Sequence, residues 1–438
     1  MVGQPARWTA TARALRRCGF GVTGARVDAM AGQDWAGYVG AALDADPDAD
    51  AGAVATPMPT LPAPRGPGRN AAIAARKQYN RQLSEQMTEL SRWWLRRMAA
   101  VDQPMHEKLT LLWHNHFATS AQKVQVASYM AEQNQKLRTL ALGDFRTLAY
   151  TMLTDAAMLR WLDGQSNTAK AANENLSREF MELFALGHGN GYTEDDVRAG
   201  ARALTGWVIR PGGQTALVAR RHDGGAKTLF GVTADFDAAG FCDTVLAQPA
   251  SPRYIAGRLW QQLATDDPPS AQALERAVTA YGPQRDLRAL TRSILTDDEF
   301  LRSRAAVVNT PVEWLVGVIR TLQVPLGTPA RLNMADATLK ALGQKPFYPP
   351  TVGGWPRGRV WLSTASAGVR LRAATNLARA GDLSDIDDAA APDRIDAVGY
   401  LIGIGQWSDR TVAALRPLVR RPLQLVAAAV NTPEYLTS

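Results

Sequence analysis

The amino-acid sequence predicts a mainly α-helical fold, a large single multi-helix unit with irregular Gly/Pro/Trp-rich loops and at most a short β-hairpin near 208–230. Three observations carry this. Apolar residues recur mostly three and four positions apart, as in Leu140, Leu142, Phe145, Leu148 and Met152, where only the first step is two, or Val312, Leu315, Ile319 and Leu322, which is the period of one helix face. The long apolar–polar alternation that a half-buried strand needs is missing. Clusters of proline and glycine, the residues that break helices, separate the periodic stretches.

With 438 residues, 46% apolar and 21% charged, the chain can bury a large core and has none of the composition of a disordered one. Its 49 basic against 41 acidic side chains give a net charge of +8. The excess is spread along the chain without any nucleic-acid-reading signature, so no nucleic-acid partner is expected. Basic clusters such as Arg13, Arg16 and Arg17, or Arg96 and Arg97, read as solvated helix faces. Two cysteines, Cys18 and Cys242, lie too far apart in sequence for a CxxC clip and are too few for a disulfide framework. The opening MVGQPARWTATARALRRCGFG lacks an apolar run, and 18 consecutive apolar residues occur nowhere. The expectation is a cytoplasmic protein without a membrane segment.

Taken in order, residues 1–55 read as an N-terminal helical segment and 56–70, TPMPTLPAPRGPGRN, as an extended Pro-rich loop. Residues 71–438 read as the main helical body, in one domain with the first segment. One phrase recurs, as LAYTMLTDAAML at 148–159, LTRSILTDDEFL at 290–301 and LVAAAVNTPEYL at 425–436. Each reads as a helix that ends at Thr or Asn, followed by a residue that starts a short second helix.

LLWHNHFATS at 111–120 puts two of the five histidines one residue apart. Pro104 starts a helix there, with Met105, Leu109, Leu112, Trp113, His116 and Phe117 on one face. His116 is therefore expected inside and His114, about 200° round the helix, at the surface. In 173–207, Leu176, Phe180, Leu183 and Gly187 make a buried stripe flanked by Asn175, Glu179 and Glu182. GHGNG ends that helix, and Thr193 with Glu194, Asp195 and Asp196 caps the next. Two carboxylates three residues apart suit metal ligation, acid–base chemistry or ion pairing with Arg198 and Arg202. In ARRHDGGAKTLFG, 219–231, His222 and Asp223 precede a glycine pair that lets a ligand approach the backbone, with Arg220, Arg221 and Lys227 available for an anion. FYPPTVGGWPRGRVWLS, 347–363, reads as a loop that closes over something. HExxH, GxSxG, a phosphate loop and a dinucleotide-binding turn are all missing.

Together LRRCGFG, HEKLTLLWHNHFATS, NENLSREFMELFALGHGNGYTEDDVRAGARALTGW, HDGGAKTLFG and PPTVGGWPRGRVWL resemble the bacterial family known as domain of unknown function 1800, over nearly the whole chain. The resemblance implies one mostly helical unit and no established reaction or catalytic residue. It also implies a neighbouring sulfatase-like protein as a candidate partner and, for many members, an export signal, which this sequence lacks. Where the family usually shows a histidine, at or near position 18, this chain has Cys18.

The functional expectation is one polar pocket built from the 105–118 helix, the 173–187 helix and the 219–231 loop. His116, Glu179, Glu182, His222 and Asp223 would act as acid, base or ligands, and Asn175, Arg220, Arg221, Lys227 and Trp207 would hold substrate. The chemistry would be acid–base or metal-assisted hydrolysis of an anionic or glycan-like substrate. A divalent metal is compatible with these side chains, and nothing in the sequence identifies one. The competing expectation is a non-catalytic binding or maturation partner, of a sulfatase-like protein among others, that presents Trp-rich loops.

Overall fold

Helices follow one another from Ala6–Arg17 to Pro433–Leu436 in the computed structural model, which describes residues 3–62, 66–68, 70–302 and 307–437. Local signals set their ends. Thr193 and Thr310 make reciprocal capping boxes with Asp196 and Glu313, which satisfies N-terminal amides otherwise left without partners. The recurring phrase behaves as read in its first two copies, where Asp155 accepts from the amides of Ala157 and Met158 at 2.9 and 3.1 Å, and Asp297 from that of Glu299 at 2.8 Å; in the third, a short helix follows but the Thr432 side chain does not cap it. In the first two, each short helix is thus started by the residue that follows the end of the longer one.

The irregular region near 208–230 holds two antiparallel hairpins. Trp207–Ile209 pairs with Thr215–Leu217, and Lys227–Leu229 with Val232–Ala234. The second turns through Phe230 and Gly231, both at positive φ, the backbone that a two-residue hairpin loop needs. Of the predicted 56–70 loop, residues 63–65 and 69 lie outside the described residues, and the remainder carries neither helix nor strand. The loop is pinned along the Ile73–Ala100 helix, where Trp93 Nε1 donates to Thr56 O at 2.9 Å and Gln86 Nε2 to Pro62 O at 2.9 Å.

Two apolar cores meet at the Met105–His116 helix. Met105, Leu109, Leu112 and Trp113 enter one core, and Leu111 enters the other. All twelve residues of this helix are buried. Most of its polar side chains are satisfied by protein, because an unpaired buried polar group is costly, although His106 Nε2 is buried without a partner. Glu107 accepts from Trp94 Nε1 at 2.7 Å, Arg97 Nε at 2.6 Å and Arg138 Nε and Nη2 at 2.7 and 2.9 Å. Burial opposes its charge, but Arg138 and Arg97 outweigh burial and hold its pKa below the usual carboxylate value. Lys108 pairs with Glu313. The basic clusters read as solvated faces are thus split: Arg97 and Arg17 are buried, whereas Arg96 stays half-exposed beside Glu89. Helical phase alone does not report what packs over a face.

Among the described residues, no helix is long and apolar enough to cross a membrane.

Replacing Glu107 by Gln takes the carboxylate from buried Arg138, while Arg97 keeps Asp48. The expected cost is about 3–5 kcal/mol, read as a lower denaturation midpoint in urea. Because the Glu107 pKa is depressed by folding, the native protein should also lose this contribution as pH falls through the folded value, and the variant should show a shallower acid limb.

Candidate functional site

The LLWHNHFATS stretch organises three other segments. His114 is 1% exposed, which corrects the expected surface position. Its Nε2 accepts from the backbone N–H of Phe347 at 3.1 Å, and the ring lies against Trp94, Phe347 and Trp355. Asn115 Oδ1 accepts from the N–H of Trp355 at 2.7 Å. The 347–363 loop therefore closes over this helix, on the side that sequence phase assigned to solvent. Gly354 permits the approach: its φ is +82°, and a Cβ there would collide with Asn115. His116 points inward, as expected, and its Nε2 bonds with Phe184 O at 2.9 Å amid Trp113, Phe117, Phe145, Phe184 and Tyr254. Phe184 O can only accept, so Nε2 carries the proton. Burial pushes the pKa of both histidines down to about 3, and both are neutral at physiological pH.

The helix that His116 meets begins as α-helix over Asn175–Glu179 and widens into a π-helical turn over Phe180–Ala185. The N–H of Leu186 reaches back five residues to Met181 O at 3.0 Å, as such a turn requires. The last carbonyls need side-chain donors. His116 serves Phe184 O, Tyr254 OH serves Leu183 O at 2.7 Å, and Asn190 Nδ2 serves Leu186 O at 2.8 Å. Gly187, Gly189 and Gly191, all at positive φ, then end the helix as GHGNG predicted.

Glu179 and Glu182 flank this turn half-buried. Desolvation and the Glu182 charge raise the Glu179 pKa against the opposing pull of Arg178. Glu182 accepts from His188 Nδ1, an exposed imidazole. Burial and the nearby Glu182 charge raise the phenol pKa of Tyr192. The ion pairs considered from sequence do not form: Arg198 pairs with Asp195, and Arg202 with Asp223. Asn175 is exposed on the first turn, its N–H bonded to Asn173 Oδ1 at 3.0 Å.

The 219–231 residues are anchored to a different neighbour, the end of the Glu194–Ala203 helix. Asp223 accepts from Arg202 Nε and Nη2 at 2.7 and 3.2 Å and from the N–H of Gly225 at 2.9 Å. Arg202 chiefly drives its pKa down to about 2, against the opposing effect of burial. His222 Nδ1 donates to Thr205 O at 3.0 Å, and Gly206, at φ +93°, leaves room for the His222 backbone. Lys227 is buried with Nζ on Asp235 at 2.9 Å. Arg221 Nη2 donates to Gln165 O at 2.9 Å, Arg220 is exposed, and Trp207 is half-buried in the first hairpin. His116 and His222 thus take their hydrogen bonds from separate segments, while Glu179 and Glu182 are brought together. Among the described residues, no group of three or more His, Cys, Asp or Glu is arranged to hold a metal ion.

Sequence reasoning missed His188 as a partner of Glu182, and it missed Tyr254, Arg258 and Arg357 entirely. The signal for Tyr254 and Arg258 was their four-residue spacing in SPRYIAGRLWQQ, and for Arg357 its place in PPTVGGWPRGR.

Fold and site together define a mainly helical protein built round a buried polar helix. The chain belongs to the family described as Protein of unknown function (DUF1800), whose model matches residues 13–437. No curated protein and no solved structure matches it.

Asn115→Ala leaves the Trp355 N–H without its acceptor and should cost about 1–3 kcal/mol. Gly354→Ala should destabilise through both the collision and the positive φ, by about 1–3 kcal/mol or more. Thermal unfolding of the two variants checks this, and wild-type stability in both would refute the loop-closing role.

Proposed function

We propose that the chain is a hydrolase that uses Glu179 as general acid and Glu182, oriented by His188, as general base on a hydroxyl-rich, glycan-like substrate. The observation that carries this reading is the coupled carboxylate pair at the π-helical turn. One member has its pKa raised by burial and by its neighbour, and the other is bonded to an imidazole. A carboxyl group whose pKa is raised by burial suits the acid role, and a neighbouring carboxylate oriented by an imidazole suits the base role. Functional sites recur at π-helical turns, and half-burial leaves both groups within reach of a substrate. Asn175, exposed one turn earlier on the same helical flank, serves as a substrate contact. His116 and Asp223 are left out of the acid–base pair, because one is a sealed neutral donor and the other is held ionised by Arg202.

The competing reading has the Trp-rich loops presented to another protein. Trp355 and Trp361 are 3% and 6% exposed and serve packing, so any such surface would rest on Val360, Leu362 and the half-buried Trp207.

Hydrolysis of a panel of aryl glycosides by the full chain tests the proposal. Glu179→Gln should lower kcat by about 10²–10⁴ while the fold is retained, and the wild-type profile should lose its alkaline limb in that variant. Failure of the wild type to exceed the double variant Glu179→Gln, Glu182→Gln on every substrate would overturn the assignment. Stability supplies a second check. Between the unfolded carboxyl value, about 4.3, and the raised folded one, the native state holds the extra proton, so stability falls as pH rises. Glu179→Gln should therefore raise Tm at pH 7 and leave it unchanged at strongly acidic pH.

A further inference from the structure

The Ala250–Leu263 helix carries Tyr254, Arg258 and Gln261 at i, i+4 and i+7, hence on one face. Tyr254 caps the π-helical turn through Leu183 O, and its ring centroid lies 6.3 Å from that of His116. From the closing loop, Arg357 donates Nη2 to Gln261 Oε1 at 2.7 Å. Gln261 lies three residues from Arg258 on the same helix, so this bond brings Arg357 toward the face that carries Arg258. Burial, and then the Arg258 charge, lower the Arg357 pKa, and the Arg258 charge also opposes protonation of His116.

Arg258 Nε and Arg357 Nη1 are both buried without a hydrogen-bond partner. Asp266, the carboxylate that favours the Arg357 charge, has its Oδ2 on the N–H of Val308 at 3.1 Å. Two like charges with unfilled donors are unfavourable unless something negative accepts from both. Each residue keeps part of its surface exposed, so a ligand can reach the pair. Guanidinium groups match a planar or tetrahedral oxyanion through paired N–H bonds.

We propose that Arg258 and Arg357 form a binding site for a tetrahedral oxyanion, phosphate or sulfate, either free or as the monoester end of a larger ligand. Gln261 positions Arg357, and the closing loop brings it across. The site stands on different residues from the acid–base pair. Glu179→Gln should leave anion binding unchanged, so the two readings fail separately.

The experiment is calorimetry and thermal unfolding of the full chain with inorganic phosphate, sulfate, methyl phosphate and methyl sulfate, at constant ionic strength set with chloride. One saturable site per chain is expected, with binding weakened at least about tenfold in Arg258→Gln and in Arg258→Lys, which keeps the charge but loses the planar fork. Both variants leave the Arg357–Gln261 bond in place, so loss of binding is separable from loss of the loop. The phosphate and sulfate arms identify which anion is preferred, and the esters show whether a substituent is tolerated. No saturable response to either inorganic anion at about 10 mM, or equal binding in wild type and both variants, would overturn the site.

Discussion

A central helix with no solvent face is the constraint on which the rest of the structure depends. Met105–His116 carries Glu107, Lys108, Thr110, His114, Asn115 and His116 into the interior, and water is not available to any of them at full strength. Thr110 bonds within the helix, to His106 O, and each of the others dictates a neighbour. Glu107 requires Arg97 and Arg138, Lys108 requires Glu313, His114 and Asn115 require the amides of Phe347 and Trp355, and His116 requires Phe184 O. These partners come from before, after and far beyond the helix in sequence. Polar satisfaction, more than apolar contact, sets how the segments are registered, because hydrogen bonds are directional and burial is not.

The two histidines illustrate how burial redirects chemistry. A neutral imidazole can both donate and accept, which suits it to bridging backbone groups inside a protein. Desolvation pushes both pKa values far below neutrality, so neither serves as a proton shuttle near pH 7. Glu179 and Glu182 lie one layer further out, half-buried beside the π-helical turn. The sealed His116 caps a carbonyl that the altered turn leaves free.

That capping also links the two candidate sites. Tyr254 and His116 serve successive carbonyls of one helix end, and Arg258 lies one turn beyond Tyr254. The closing loop contributes Arg357 to the same neighbourhood while Trp355 is fixed on Asn115. A change in the loop is therefore felt at the central helix and at the arginine pair together, through bonds rather than through long-range fields.

Local chemistry was legible in the sequence. The helical period over 312–322, the box at Thr193, the glycine stop at 187–191 and the Asp155 and Asp297 starts depend on residues within a few positions of one another, and the structure has each of them, whereas the period read over 140–152 is broken between Leu140 and Phe145. The inward phase of His116 was legible for the same reason, and so was the adjacency of Glu179 and Glu182. What only the tertiary structure decided is which partner each polar side chain takes. Phase placed His114 opposite the apolar stripe, but the face opposite is solvent only if nothing covers it, and the 347–363 loop covers it. Arg198 and Arg202 stood at reasonable spacing from Glu179 and Glu182, yet closer or better-shaped acids, Asp195 and Asp223, took them. Gln261 and Arg357 lie 96 positions apart, and their hydrogen bond follows from the closing loop rather than from any local pattern. Propensity and periodicity act along the chain over one or two turns, whereas hydrogen-bond and charge partners are chosen across space after the chain has closed on itself.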